Sequence, residues 1–235
     1  MALPLYLALT AAEFQNCSSL PERIAWMACH YSPYGLGLSN IPDTLPAGSM
    51  LILNDRTPPC KHDPELVTGQ LSELVEKFQC SSVLLDFQRP DFQENEAVGK
   101  AAVSALPCPV GVSELYAKEL DCPVFLPPVP LTVPINEYLS PWQGREIWLE
   151  VALGGEMVTV TETDSITTPM FCIDQSGNPL ADSKLHCHYQ IHIFDDHIGF
   201  TLWRTREDLH ALLQEAEKHN VTNTVGLFQE LIHTI

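Results

Sequence analysis

SMLILNDRTPPCKHDPELVTGQLSELVEKFQCSSVLLDF, residues 49–87, is the stretch on which the fold turns. It opens with one apolar run, SMLILN (49–54), and closes with another, SVLLDF (82–87). Between them PELVTGQLSELVEKF (64–78) carries a helical period, with Leu66, Leu71, Leu74, Val75 and Phe78 expected on one face. Asp63 stands where an N-cap is needed, and Pro64 occupies the first helical position, where its missing N–H costs nothing. Apolar residues in both runs are nearly continuous rather than alternating, as in strands covered on both faces. The unit is a strand, a helix and a parallel strand.

Working outward, six further runs repeat this character: PLYLAL (4–9), IAWMACHY (24–31), PVGVS (109–113), CPVFLP (122–127), EIWLEVAL (146–153) and NTVGLF (223–228). Helical segments follow at QENEAVGKAAVSAL (93–106) and at TREDLHALLQEAEKH (205–219), the latter opened by Thr205 with Asp208 three positions on. Eight strands alternating with helices predict an α/β fold, an irregular (β/α)8 TIM-like barrel in one domain spanning residues 1–235. The connections ELYAKELD (114–121) and PLTVPINEYLSPWQ (130–143) are short or proline-rich, so the helices there are expected to be thin or missing. VTVTET (158–163), HCHYQIHIF (186–194) and IGFTLW (198–203) predict a β-hairpin insertion before the last helix.

Composition excludes several functions. Thirty acidic against twelve basic side chains give a formal charge of −18, which repels nucleic acid and anionic membrane. No window approaches the ~18 uninterrupted apolar residues of a membrane helix. The start MALPLYLALTAAEF has no basic residue ahead of its apolar run, and Pro4 interrupts it, so it reads as a first strand rather than a signal peptide. Eight scattered cysteines with no CxxC pair fit reduced thiols in a cytoplasm. There is no Gly-x-Ser-x-Gly elbow and no phosphate loop, and no cofactor is expected.

The chemistry gathers in SSVLLDFQRP (81–90). Strand alternation places Leu84, Asp86 and Gln88 on one face and Val83, Leu85 and Phe87 on the other, the first set facing the barrel interior and its C-terminal mouth. Polar residues that end other runs share that mouth: Tyr31, Asp55, Arg56, Glu114, Glu150, Gln229 and Glu230, with Arg89 beside Gln88. Asp55 and Arg56, in NDRTPP, suit a loop-fixing role more than ligand contact. His186, His188 and His192 alternate along one strand, the spacing of a metal site, but Cys187, Tyr189, Ile191 and Ile193 make the opposite face the apolar one, so a solvated face is the expectation and no metal is assigned. Cys60-Lys61-His62 has no close companions.

Residues 81–88 resemble the fourth-strand motif of glycoside hydrolase family 18, the chitinase-like barrels, Asp-Gly-φ-Asp-φ-Asp-φ-Glu with φ apolar or aromatic. Val83, Leu85 and Phe87 match the φ positions, Asp86 falls on the third acidic position, and Gln88 replaces the terminal Glu. The stretch HYQIHIFDDHIGFTLWRTREDLHALLQEAEKHNVTNTVGLF (188–228) resembles the last barrel turn of the peptidoglycan- and spore-wall-associated branch. The resemblance implies a site where the terminal Glu protonates the glycosidic oxygen and its neighbouring Asp orients the substrate's N-acetyl group, whose carbonyl oxygen is the nucleophile. Gln88 has no such proton, and general acid catalysis contributes ~10²–10⁴-fold. Its amide still donates and accepts hydrogen bonds.

Three functions follow as expectations. One is a non-catalytic or weakly active barrel that binds an N-acetylglucosamine-containing or cell-wall-like saccharide. The second is an active hydrolase using Glu114, Glu150 or a His-bound metal. The third is an interaction protein whose mouth is filled by its own side chains.

Overall fold

The computed structural model describes residues 3–35, 37–57, 63–170, 173 and 178–232. The first half runs β1 (Leu5–Leu9), α1 (Ala11–Asn16), β2 (Ile24–Tyr31), β3 (Leu38–Ser39), β4 (Met50–Asn54), α2 (Pro64–Phe78), β5 (Ser82–Asp86) and α3 (Gln93–Ala105). It continues with β6 (Val110–Ser113), α4 (Glu114–Ala117), β7 (Val124–Leu126), α5 (Ile135–Leu139) and β8 (Ile147–Glu150). All eight apolar runs contain barrel strands, the last being β14 (Val221–Leu227), which follows β9 to β13 and α6 described below.

Parallel pairing runs β1-β2-β4-β5-β6-β7-β8-β14, and β14 returns to β1 with Leu5 opposite Thr224 and Ala8 opposite Leu227. The ring is closed. Tyr6, Ala8, Ala25, Met50, Ile52, Leu84, Phe125, Trp148 and Val225 pack inside it. Leu51, Leu53, Val83, Leu85 and Val112 point outward into a second layer shared with the helices. This two-sided burial is the physical reason for the continuous apolar runs. Trp148 fills the interior so tightly that a Cβ on Gly111 would lie 2.2 Å from its ring.

Helix α2 is capped as expected, with Asp63 accepting from the Glu65 N–H and Pro64 at N1. Its buried stripe is Val67, Thr68, Leu71, Leu74, Val75 and Phe78. Leu66 is 38% exposed, and Val67 takes the place expected of it. The helices after β6 and β7 are reduced to four and five residues, so the barrel is thin on that side.

The insertion is larger than a hairpin. Strands β9 (Gly155–Val160), β10 (Ser165–Pro169), β11 (Leu180–Asp182), β12 (Cys187–Ile193) and β13 (Ile198–Trp203) form an antiparallel sheet in the order β10-β9-β13-β12-β11. Strand β10, SITTP, is exposed throughout and carries no apolar run to announce it. Arg204 fastens the sheet to the barrel by donating from Nη1 to the Val129 carbonyl at 2.8 Å. Helix α6 (Arg206–Ala216) then opens with the expected capping box of Thr205 and Asp208, and α7 (Phe228–Leu231) follows β14. Among the described residues no helix is long and apolar enough to cross a membrane.

Candidate functional site

Strand β5 delivers Leu84 and Asp86 to the interior, and the chain beyond it turns at a buried carboxylate. Asp55, only 2% exposed, accepts from the Gln88 N–H at 3.0 Å, the Arg89 N–H at 2.9 Å and Asn95 Nδ2 at 2.8 Å. Asn95 Oδ1 in turn accepts from the Tyr31 hydroxyl at 2.9 Å. Buried polar groups need such partners, and this set fixes the path of residues 88 and 89 over the mouth. Tyr116 adds a hydroxyl donated to the Arg89 carbonyl. Gln88 then folds back, its Nε2 donating to Asp86 Oδ1 at 2.5 Å.

A cavity of about 400 Å³ opens at this C-terminal end of the barrel. Asp86, Gln88 and Glu150 supply polar groups, with Met27, Phe125 and Leu227 among the apolar walls. Arg56 and Arg89 stand at the same cavity, but Arg89 Nη2 is turned to the Arg56 carbonyl at 2.9 Å. Burial raises the pKa of Asp86; the Gln88 amide opposes that shift, and the Asp55 charge adds to it. Glu150 is pushed up to about 7 by burial first, then by the negative charges of Asp86 and Glu230. A mostly apolar cleft with a few convergent polar groups and a displaced carboxyl pKa is the arrangement of a ligand site.

Solved structures match this whole architecture. A chitinase-like agglutinin from Robinia pseudoacacia superposes with a TM-score of 0.63 at 12% identity, over 99% of this chain and 98% of that one. The chain has the fold of the family 18 chitinase-like barrels. A glycoside hydrolase family 18 N-acetylglucosaminidase from Paenibacillus barengoltzii gives 0.61 at 9% identity, covering 99% and 98%. The family 18 chitinase of Cycas revoluta, in complex with (GlcNAc)3, gives 0.58 at 10% identity, covering 99% and 96%. No protein-family model and no curated protein matches the sequence.

Within this chitinase-like barrel Asp86, Gln88, Glu150, Asp55, Arg56 and Arg89 all line the one cavity. Among the described residues the mouth keeps this cavity open. Tyr31 lies beneath it, fully buried and stacked on Phe87 with ring centroids 5.9 Å apart. Glu114 begins α4 off the cavity, where its charge acts on Tyr138. Glu230 Oε1 accepts the Leu153 and Gly154 N–H groups at 2.6 and 3.2 Å and so ties the β8–β9 connection, while Gln229 is exposed on α7.

The histidines are dispersed. His188 Nδ1 pairs with Asp208 Oδ2 at 2.7 Å, His192 Nε2 meets Thr201 Oγ1 at 3.0 Å, and His186 precedes β12 with φ +50°. Among the described residues no group of three His, Cys, Asp or Glu side chains is placed to hold a metal. Cys60-Lys61-His62 lies outside the described residues. The apolar face of β12 is not buried along its length, with Ile191 47% and Ile193 82% exposed. Two contributors escaped sequence reasoning. Asn95 is an amide in a helical segment with no distinguishing neighbour, and Asn54, whose Nδ2 bonds the Met27 and Cys29 carbonyls at 2.9 Å, ends an apolar strand.

Proposed function

We propose that the barrel mouth binds a saccharide containing N-acetylglucosamine, with Asp86 and Gln88 as its polar anchor and without a proton donor at position 88. The observation that carries this reading is the open cavity of about 400 Å³, in which Asp86 and Gln88 present a carboxylate and an amide side by side. Its size falls within the ~300–1,000 Å³ of small-ligand sites. An acceptor next to an amide suits the vicinal hydroxyl and acetamido groups of such a sugar, and Met27, Phe125 and Leu227 offer apolar surface to its ring. The complex of the Cycas revoluta chitinase with (GlcNAc)3 supports the ligand class, because that protein shares the barrel.

Calorimetric titration of N-acetylglucosamine oligomers and muropeptide fragments into the protein and into Asp86→Ala tests the reading. Saturable binding that the substitution abolishes is expected. No heat of binding from any member of the panel overturns it.

A further inference from the structure

The cavity holds three carboxylates among its described residues, and their surroundings separate them. Asp55 is saturated by three donors and fixes the loop. Asp86 accepts the Gln88 amide N–H, a contact that favours its ionised form. Glu150, the last residue of β8, lines the same cavity and has neither a hydrogen-bond nor an ion-pair partner among the described residues. Asp86 on β5 and Glu230 on α7 turn negative charge on it, and Tyr138 on α5 shares its surroundings with Glu114. Arg56 and Arg89 line the cavity, yet neither forms an ion pair with it. Burial lifts the pKa of both carboxyls, but a donor amide holds Asp86 and none holds Glu150, so Glu150 is the one placed to keep a proton and Asp86 the one placed to be the anion.

We infer that Glu150 is the general acid of a glycosidic-bond cleavage at this mouth, with Asp86 as its ionised partner, so that the missing acid at position 88 is replaced from the other side of the barrel. The inference rests on saccharide binding at the mouth. In the step, the Glu150 carboxyl gives its proton to the glycosidic oxygen, the C1–O bond breaks, and its electron pair stays on the leaving hydroxyl. The acetamido carbonyl oxygen of the same sugar closes onto C1 while Asp86 holds the acetamide N–H. Water then adds to C1, reopens the ring so formed, and returns one proton to the Glu150 carboxylate. The sum is one glycoside and one water giving two sugars.

The decisive experiment measures oligomer binding and oligomer hydrolysis on the same preparations of the protein and of Glu150→Gln. Turnover of a chitopentaose is expected to fall ~10²–10⁴-fold in the variant while its dissociation constant is unchanged. A 4-nitrophenyl N-acetylglucosaminide, whose leaving group needs no proton, should lose far less. In the unsubstituted protein, kcat should fall tenfold per pH unit above about 7, where Glu150 gives up its proton. Binding without any hydrolysis overturns the acid role and leaves the binding site standing. Hydrolysis that Glu150→Gln does not impair also overturns it. If neither binding nor hydrolysis occurs, the saccharide reading itself fails and the acid role falls with it.

Discussion

Gln88 Nε2 and Asp86 Oδ1 lie 2.5 Å apart, so the residue in the place of an acid is a hydrogen-bond donor to the carboxylate two positions before it. The amide has one orientation that satisfies this contact, and it leaves the carbonyl oxygen of Gln88 available to a ligand donor.

Gln88→Glu should therefore change both chemistry and stability. A second carboxyl beside Asp86 restores an acid on β5, and hydrolysis of N-acetylglucosamine oligomers at pH 5–6 is expected to rise by ~10²-fold. The two carboxyls can keep their contact only by sharing a proton, which raises the folded-state pKa of the pair. The folded state then binds more protons than the unfolded chain, and stability falls as pH rises through that pKa. Melting temperatures at pH 5 and pH 8 check the sign; equal losses at both would contradict it.

Glu150 gives the unsubstituted protein a pH dependence of the same direction. Its pKa stands at about 7 against an ordinary 4.5. Between those values the folded state holds a proton that the unfolded chain has released, so stability declines from pH 4.5 to 7 and is flat in this contribution above that. The loss is at most roughly 3 kcal/mol. Urea unfolding at pH 5 and pH 8 should show a shallower decline in Glu150→Gln, with the variant the more stable of the two at pH 8.

Asp55→Ala should be severe. It strands the Gln88 N–H, the Arg89 N–H and Asn95 Nδ2 without an acceptor in a buried place. A loss of ~3–5 kcal/mol is expected from removing one member of such a network. Because these donors set the path of residues 88 and 89, saccharide binding should disappear at temperatures where the variant is still folded. A midpoint within 0.5 M urea of the original, at the m-value of ~1–3 kcal/mol/M usual for small proteins, would contradict the prediction.

Gly111→Ala probes the packing of the interior. The new methyl would meet Trp148 at 2.2 Å, and overpacking of this kind costs ~1–3 kcal/mol. Trp148→Phe made in the same chain should recover part of the loss, whereas additive losses would locate the strain elsewhere.

The barrel was legible because its strands are buried on both faces, and burial on both faces writes itself as uninterrupted apolar runs. Eight runs became eight strands. The insertion was less legible: β10 is a Ser/Thr strand with no buried side chain, and β11 is three residues long, so neither carries a hydrophobic period. On β12, alternation pointed to a buried face that the structure leaves open at Ile191 and Ile193. For the site, strand alternation on β5 and the polar residues that end other runs, Glu150 on β8 among them, pointed to the mouth. They could not separate Asp55 and Glu230, which hold backbone N–H groups, from Glu150, which holds none, because that difference lies in contacts between segments far apart in the chain.

The seam of the ring lies between β1 and β14, where Thr224 Oγ1 reaches the Pro4 carbonyl across 220 residues of chain. During synthesis β1 emerges long before β14, and its free edge stays unpaired until β14 follows. Any product that stops before Val221 exposes two open parallel edges, on β1 and β8, each a template for another chain. Synthesis interrupted between β8 and β14 should consequently yield aggregates in place of a partly working barrel, because chaperones then meet an unclosed sheet.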